Sequence, residues 1–192
     1  MTHLSIIGTG NMGQAIAAIA GKGDHTVELF NTSSDSDRQV TGDIVVLAVP
    51  YPAVAGVLAQ HGASLAGKVV VDITNPLDFE TFDSLTVPAE SSATAEIAAA
   101  LPESRVIKAF NTNFAATLAS GAVGDLTTTV LIAGDDADAK AALAGLVVEA
   151  GLNAIDAGAL SRARELEAIG FLQIKLAAAE KISWTGGFGI VV

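Results

Sequence analysis

Three glycines near the start of the chain carry the first chemistry legible in it. The segment SIIGTGNMGQAIA, residues 5–17, sets Gly8, Gly10 and Gly13 at the spacing G-x-G-x-x-G, behind an apolar run and ahead of a helix-like stretch. A turn that holds a pyrophosphate needs each of them for a separate reason. The first lets the chain leave its strand sharply, the second lets the backbone approach the phosphates with no side chain between, and the third lets the helix pack closely on the strand. The opening helix then adds free N–H groups and the positive end of its dipole. Thr9, Asn11 and Met12 fill the remaining positions of the turn. A second strand-like run starts at Thr26, within the roughly 30-residue unit that such a motif demands. The turn therefore reads as a dinucleotide site.

The residues closing the second strand bear on which dinucleotide. An acid there grips the ribose hydroxyls of NAD and repels the extra phosphate of NADP. The run Glu28-Leu29-Phe30-Asn31-Thr32-Ser33-Ser34 puts Glu28 too early, inside the strand, and offers neutral donors at Asn31, Thr32, Ser33 and Ser34, with Arg38 within reach from the following loop. That combination favours NADP. In the competing reading Asp35 or Asp37 folds back to the ribose and Arg38 is merely solvated.

Other chemistries find little support. His3, His25 and His61 show no H-x-x-H or H-E-x-x-H spacing and the chain has no cysteine, so no metal site is expected. Ser5, Ser33 and Ser34 lack a G-x-S-x-G setting for nucleophilic hydrolysis. Asp135 and Asp136 read as helix-capping acids, Trp184 as packing or a ring platform, and Lys108 as lying near phosphates or simply following a strand. A net charge of −11 argues against nucleic acid as a partner. The opening MTHLSII lacks the features of a signal peptide, and no apolar stretch approaches the ~20 residues of a membrane span, so the expected location is cytoplasmic.

These residues need a scaffold, and the hydropathy pattern supplies one. Apolar runs recur at 4–7, 26–30, 44–49, 69–73, 106–110, 129–133 and 152–155, separated by Ala- and Leu-rich helical stretches at 14–20, 53–60, 93–101 and 137–150. Strands that are apolar throughout, alternating with helices, predict an α/β fold: a Rossmann-type, doubly wound, mostly parallel sheet. Residues 32–42 and 76–91 are predicted to be irregular, the first a polar loop in place of a crossover helix. Residues 160–192 are predicted to form a C-terminal helical tail. Ser161 is its expected N-cap, Leu166, Ile169, Leu172 and Leu176 its apolar stripe, widened by Phe171 and Ile174, and WTGGFGIVV a closing strand. The whole, 1–192, reads as one NADP-binding domain. The breadth of the tail's apolar face predicts a homodimer.

With these residues in view the chain resembles the NADP oxidoreductases that use the 5-deazaflavin coenzyme F420. The likeness rests on GTGNMG, LAVPYPAV (47–54), VDITNPL (71–77), SSATAEIAAALPESRVIKAFNT (91–112), AGDDADAK (133–140), DAGALSRARELEAI (156–169) and TGGFGI (185–190). The resemblance implies hydride transfer between nicotinamide and a deazaflavin or flavin, in which positioning matters more than acid–base chemistry. It implies that Gly8 to Gly13 hold the pyrophosphate, and Asn31 to Ser34 with Arg38 the ribose phosphate. Ala48, Val49, Pro50 and Tyr51 would line the nucleoside, and Thr74, Asn75 and Pro76 would lie near the nicotinamide. Asn111, Thr112 and Asn113 would face the second cofactor, and Trp184, Gly186 and Gly187 would close over it. Two other functions fit the dinucleotide site: direct reduction of a small imine or carbonyl substrate, and non-catalytic sensing of NADP.

Overall fold

The apolar runs become neighbouring strands of one sheet. The computed structural model of the chain describes residues 1–35 and 38–192; Asp37, one of the two acids considered for the ribose, lies outside them. The sheet holds β1 (His3–Ile7), β2 (Thr26–Phe30), β3 (Ile44–Leu47), β4 (Val69–Asp72), β5 (Arg105–Lys108), β8 (Thr129–Gly134) and β9 (Asn153–Gly158), in the order β2-β1-β3-β4-β5-β8-β9. Every pairing is parallel except that of β5 with β8. The doubly wound, mostly parallel sheet expected from the sequence is the one observed.

The two-residue period of the strands explains why both faces are covered. Leu4, Ile6, Val46, Val71 and Ile107 face one core, against α1 (Asn11–Ala20) and α5 (Ala137–Glu149). Ile7, Val45, Leu47, Val70 and Val106 face the other, against α2 (Tyr51–His61) and α3 (Ala93–Ala100). Val40 is buried in this second core and draws in the polar loop between β2 and β3, where no helix occurs among the described residues. Winding reverses at β1, which sits between β2 and β3, so the crevice at the carboxyl ends of β1 and β3 is where a ligand is expected.

The path from β5 to β8 was not foreseen. It contains a six-residue helix, α4 (Ala115–Ser120), and a hairpin of β6 (Ala122–Val123) and β7 (Leu126–Thr127). Gly121 at φ 77° ends the helix in the left-handed region. Because this connection carries no helix long enough to recross the sheet, β8 runs antiparallel to β5 and pairs with its carboxyl end through Ala133 and Gly134, the last residues of β8.

The tail departs from expectation in three respects. The final helix, α6 (Ala163–Ala178), follows a single 3-10 turn at Leu160–Arg162, so Ser161 lies inside that turn and does not cap the helix. The buried stripe of α6 is Ala163, Leu166, Glu167, Gly170, Gln173 and Ala177, so two polar residues are inside while Ile169 and Leu172 remain exposed. Residues 184–192 form no strand. Gly187 sits at φ 131°, and the Phe188 N–H is taken by a side chain, Gln173, instead of a ladder.

Candidate functional site

The glycine turn has the shape its spacing predicts. Gly8 adopts φ 123°, and a Cβ there would lie 2.0 Å from the Ala48 carbonyl oxygen, so only glycine lets β1 and β3 leave the sheet side by side. A Cβ on Gly13 would lie 2.1 Å from the Gly8 carbonyl oxygen, the close helix-on-strand contact that was expected. A Cβ on Gly10 would meet nothing within 4 Å. That position opens onto space in which a pyrophosphate fits. Helix α1 starts there with no side-chain cap and no acid in its first turn, leaving N–H groups for an anion. The residues present therefore fit a dinucleotide phosphate.

At the end of β2 the structure brings neutral donors and an acid together. Asn31, Thr32, Ser33 and Ser34 are exposed; the Asn31 side chain accepts from the Ser33 N–H, and the Asn31 N–H donates to the Asp35 carboxylate at 2.7 Å. Asp35 thus folds back onto the backbone at the strand end. Arg38 turns back along β2, donating to the Leu29 carbonyl at 2.9 Å and to Glu28 at 2.8 Å, with its guanidinium over the Phe30 ring. Burial by itself would raise the Glu28 carboxyl, but donors from Ser5 and Thr41 and the Arg38 charge outweigh it and hold it below the usual carboxylate range.

Beyond β3, Ala48 and Val49 stand against Gly8, and Pro50 leads into α2. Tyr51 is turned elsewhere. Its hydroxyl donates to Glu96 and its ring lines a groove between α2 and α3. Burial, followed by the Glu96 hydrogen bond, pushes the Tyr51 hydroxyl above its ordinary range, so it stays protonated at neutral pH.

The main cavity, about 530 Å³, opens next to the glycine turn, with Asn11 and Met12 in its wall. Its floor is a reciprocal amide pair. Asn75 Nδ2 donates to the Asn111 carbonyl at 2.9 Å, and Asn111 Nδ2 donates to Asn75 Oδ1 at 2.9 Å and to the Leu166 carbonyl at 2.9 Å. Asn113 Nδ2 donates to the Thr129 carbonyl at 3.0 Å. Phe110, fully buried yet at φ 62°, holds the backbone in the left-handed region as it enters this turn. A bulky residue there is strained, and strain of this kind gathers where side chains must be aimed. The walls are aromatic: Phe79, Phe82, Phe114 and Trp184, with the Trp184 and Phe114 rings 5.0 Å apart. Of the residues expected near the nicotinamide, Asn75 lines the cavity, Thr74 is buried behind it, and the Pro76 carbonyl accepts from Thr86, folding the 76–91 segment over.

A layer below, Lys108 is fully buried. Its ammonium donates to Asp72 at 2.8 Å, to Glu167 at 2.9 Å and to the Thr74 carbonyl at 2.6 Å, so it touches no phosphate position. Both carboxylates are buried as well, and Glu167 also accepts from the Ala93 and Thr94 N–H groups at the start of α3. Sequence reasoning missed Asp72 and Glu167; an acid in a strand otherwise of valines was the available signal. Among the described residues no cluster of His, Cys, Asp and Glu is set to hold a metal. Asp136 caps α5 through the Ala139 N–H, as expected.

This geometry has close parallels. Residues 29–76 match the family model described as NADP oxidoreductase coenzyme F420-dependent. An F420-dependent NADP reductase of Methanocaldococcus jannaschii is 31% identical over 156 residues, covering 79% of this chain and 70% of that protein. The chain belongs to the F420-dependent NADP reductase family. It is accordingly an NADP-dependent oxidoreductase. A crystal structure from Arthrobacter sp. FB24, provisionally described as an F420-dependent NADP-reductase, superimposes with a TM-score of 0.86 at 25% identity over the full length of both chains. Metalloreductase STEAP3 of Rattus norvegicus is 30% identical over 184 residues, 86% of this chain but only 36% of that larger protein. Among the described residues, no helix is long and apolar enough to cross a membrane.

Proposed function

We propose that this chain passes a hydride between the nicotinamide of NADP(H) and a planar deazaflavin or flavin held in the cavity. One observation carries the reading: among the described residues that line the cavity, none is titratable. Reduction of a carbonyl or imine builds charge on one small atom and calls for a placed proton donor. A tricyclic ring spreads that charge and takes its proton from water at its edge. The hydride chemistry belongs to the two cofactors, which leave the protein to bind, orient and exclude water.

The residues divide that work. Gly8, Thr9, Gly10, Asn11, Met12 and Gly13 hold the pyrophosphate, and Asn31 to Ser34 with Arg38 face the ribose phosphate. Ala48 to Pro50 line the nucleoside. Asn75, Pro76, Asn111, Thr112 and Asn113 orient the reacting rings, and Phe79, Phe82, Phe114 and Trp184 give the second ring flat, apolar walls. Residues 160–192 complete the site and carry a homodimer contact.

The test is direct. NADPH is mixed with the protein and, in parallel, with coenzyme F420, FMN, FAD and a panel of small imines and ketones, while nicotinamide absorbance is followed. Oxidation with F420 or a flavin and none with the panel is the expected result. Turnover confined to the panel overturns the reading, and tight NADPH binding without any turnover replaces it with the sensor.

A further inference from the structure

The buried face of α6 carries two polar residues, Glu167 and Gln173, where a packing helix would be apolar throughout. Three of its residues, one turn apart, each meet a different part of the cavity's frame. Glu167 holds Lys108 and the start of α3. Gly170 admits the amide pair, since a Cβ there would lie 2.3 Å from Asn75 Oδ1 and 2.9 Å from the Asn111 carbonyl oxygen. Gln173, 1% exposed, bridges two segments of the chain. Its Nε2 donates to the Thr112 carbonyl at 3.2 Å, and its Oε1 accepts from the Phe188 N–H at 2.8 Å. The partners fix the amide's orientation, because one is a carbonyl and the other an N–H group.

We propose that Gln173 is a positioning residue for the second substrate: its amide ties the Asn111–Asn113 turn to the C-terminal tail that brings Trp184 over the cavity. The proposal rests on the reading of that cavity as the second-substrate site. Thr112 lies between the two asparagines of the turn, and Trp184 lies four residues before the tail's anchor at Phe188. Gly187, at φ 131°, is where a Cβ would come within 2.9 Å of Gln173 Oε1, so the tail approaches the amide only because that residue is glycine. A ligand seated against Trp184 and the turn therefore meets two walls that the Gln173 amide links by hydrogen bonds, beside the packing of Trp184 on Phe114. Hydride transfer depends on such settings, because small displacements of a reacting ring cost large factors in rate.

Two variants separate positioning from simple packing. Gln173→Met keeps the volume and removes both links. Gln173→Glu keeps an acceptor for the Phe188 N–H but sets a carboxylate oxygen against the Thr112 carbonyl. Steady-state kinetics with NADPH and the accepting ring cofactor are run beside NADPH titration and the emission and acrylamide quenching of Trp184, the only tryptophan. With Gln173→Met the KM for the second substrate should rise about tenfold, the scale of one lost hydrogen bond. The NADPH Kd should be unchanged, and Trp184 emission should shift red with stronger quenching. Gln173→Glu should raise KM while leaving Trp184 nearer to wild type. Unchanged KM and unchanged Trp184 emission in Gln173→Met overturn the proposal, as does a fall in thermal stability with neither readout moved. If the wild-type protein oxidises NADPH with none of the ring cofactors, it is the proposed function that fails. The Trp184 comparison then still decides whether Gln173 holds the tail.

Discussion

At the scale of single residues, adding one methyl group has opposite meanings at Gly10 and Gly13. A Cβ on Gly10 touches no protein atom, whereas one on Gly13 drives into the Gly8 carbonyl at 2.1 Å. Gly10→Ala should therefore fold as the wild type does and lose affinity for NADPH, by tenfold or more if a methyl group stands where the pyrophosphate lies. Gly13→Ala should lose about 1–3 kcal/mol of stability through overpacking. Urea unfolding alongside NADPH titration separates the two, and equal losses of stability in both variants would show that the turn is only structural. This turn was legible in the sequence because its requirements are local: three positions, a strand before and a helix after. The partners of Arg38 and Lys108 were not. Each pairs with a carboxylate from elsewhere in the chain, Glu28 for the first, Asp72 and Glu167 for the second, and a lone basic residue carries no sign of its partner.

At the scale of elements, the strands and the helices between them were readable because continuous apolar runs of Val, Ile and Leu define a sheet buried on both faces. Helix α6 was readable as a helix but not in its orientation. Its apolar residues suggested one face, and the fold buries another, because Glu167 and Gln173 find partners inside that no periodicity reveals. The same helix shows how such an arrangement is held. Lys108 stands between two buried carboxylates, and removing its charge leaves both uncompensated. Lys108→Met should destabilise the protein by about 3–5 kcal/mol. Adding Glu167→Gln should restore part of that loss, since it removes one stranded charge and keeps an acceptor for the Ala93 and Thr94 N–H groups. A double-mutant cycle by urea unfolding measures the coupling, and strictly additive effects would mean that the cluster does not act as a unit.

At the scale of the whole molecule, the outward side of α6 and the tail raise the question of a second copy. Ile169 is 37% exposed, Leu172 48% and Phe188 42%, and Ile169 and Phe188 flank the same small cavity with Ile190. A chain carrying net −11 repels its own copies at long range, so association has to come from a contact of short range and apolar character. This face offers one. It runs beside Gln173, so a copy docked there would also steady the tail that Gln173 anchors. Leu172→Glu places a charge in the middle of the patch, at a position already open to solvent, and should leave the folded chain intact. In sedimentation at low micromolar concentration the wild-type protein is expected at twice the chain mass of 19.3 kDa, and Leu172→Glu at the single mass. If the pairing is needed to hold the tail, the variant should also raise the KM for the second substrate while leaving NADPH binding alone. A wild-type protein that sediments as a monomer would remove the dimer and leave the tail's position to contacts within its own chain, Gln173 and the packing of Trp184 on Phe114 among them.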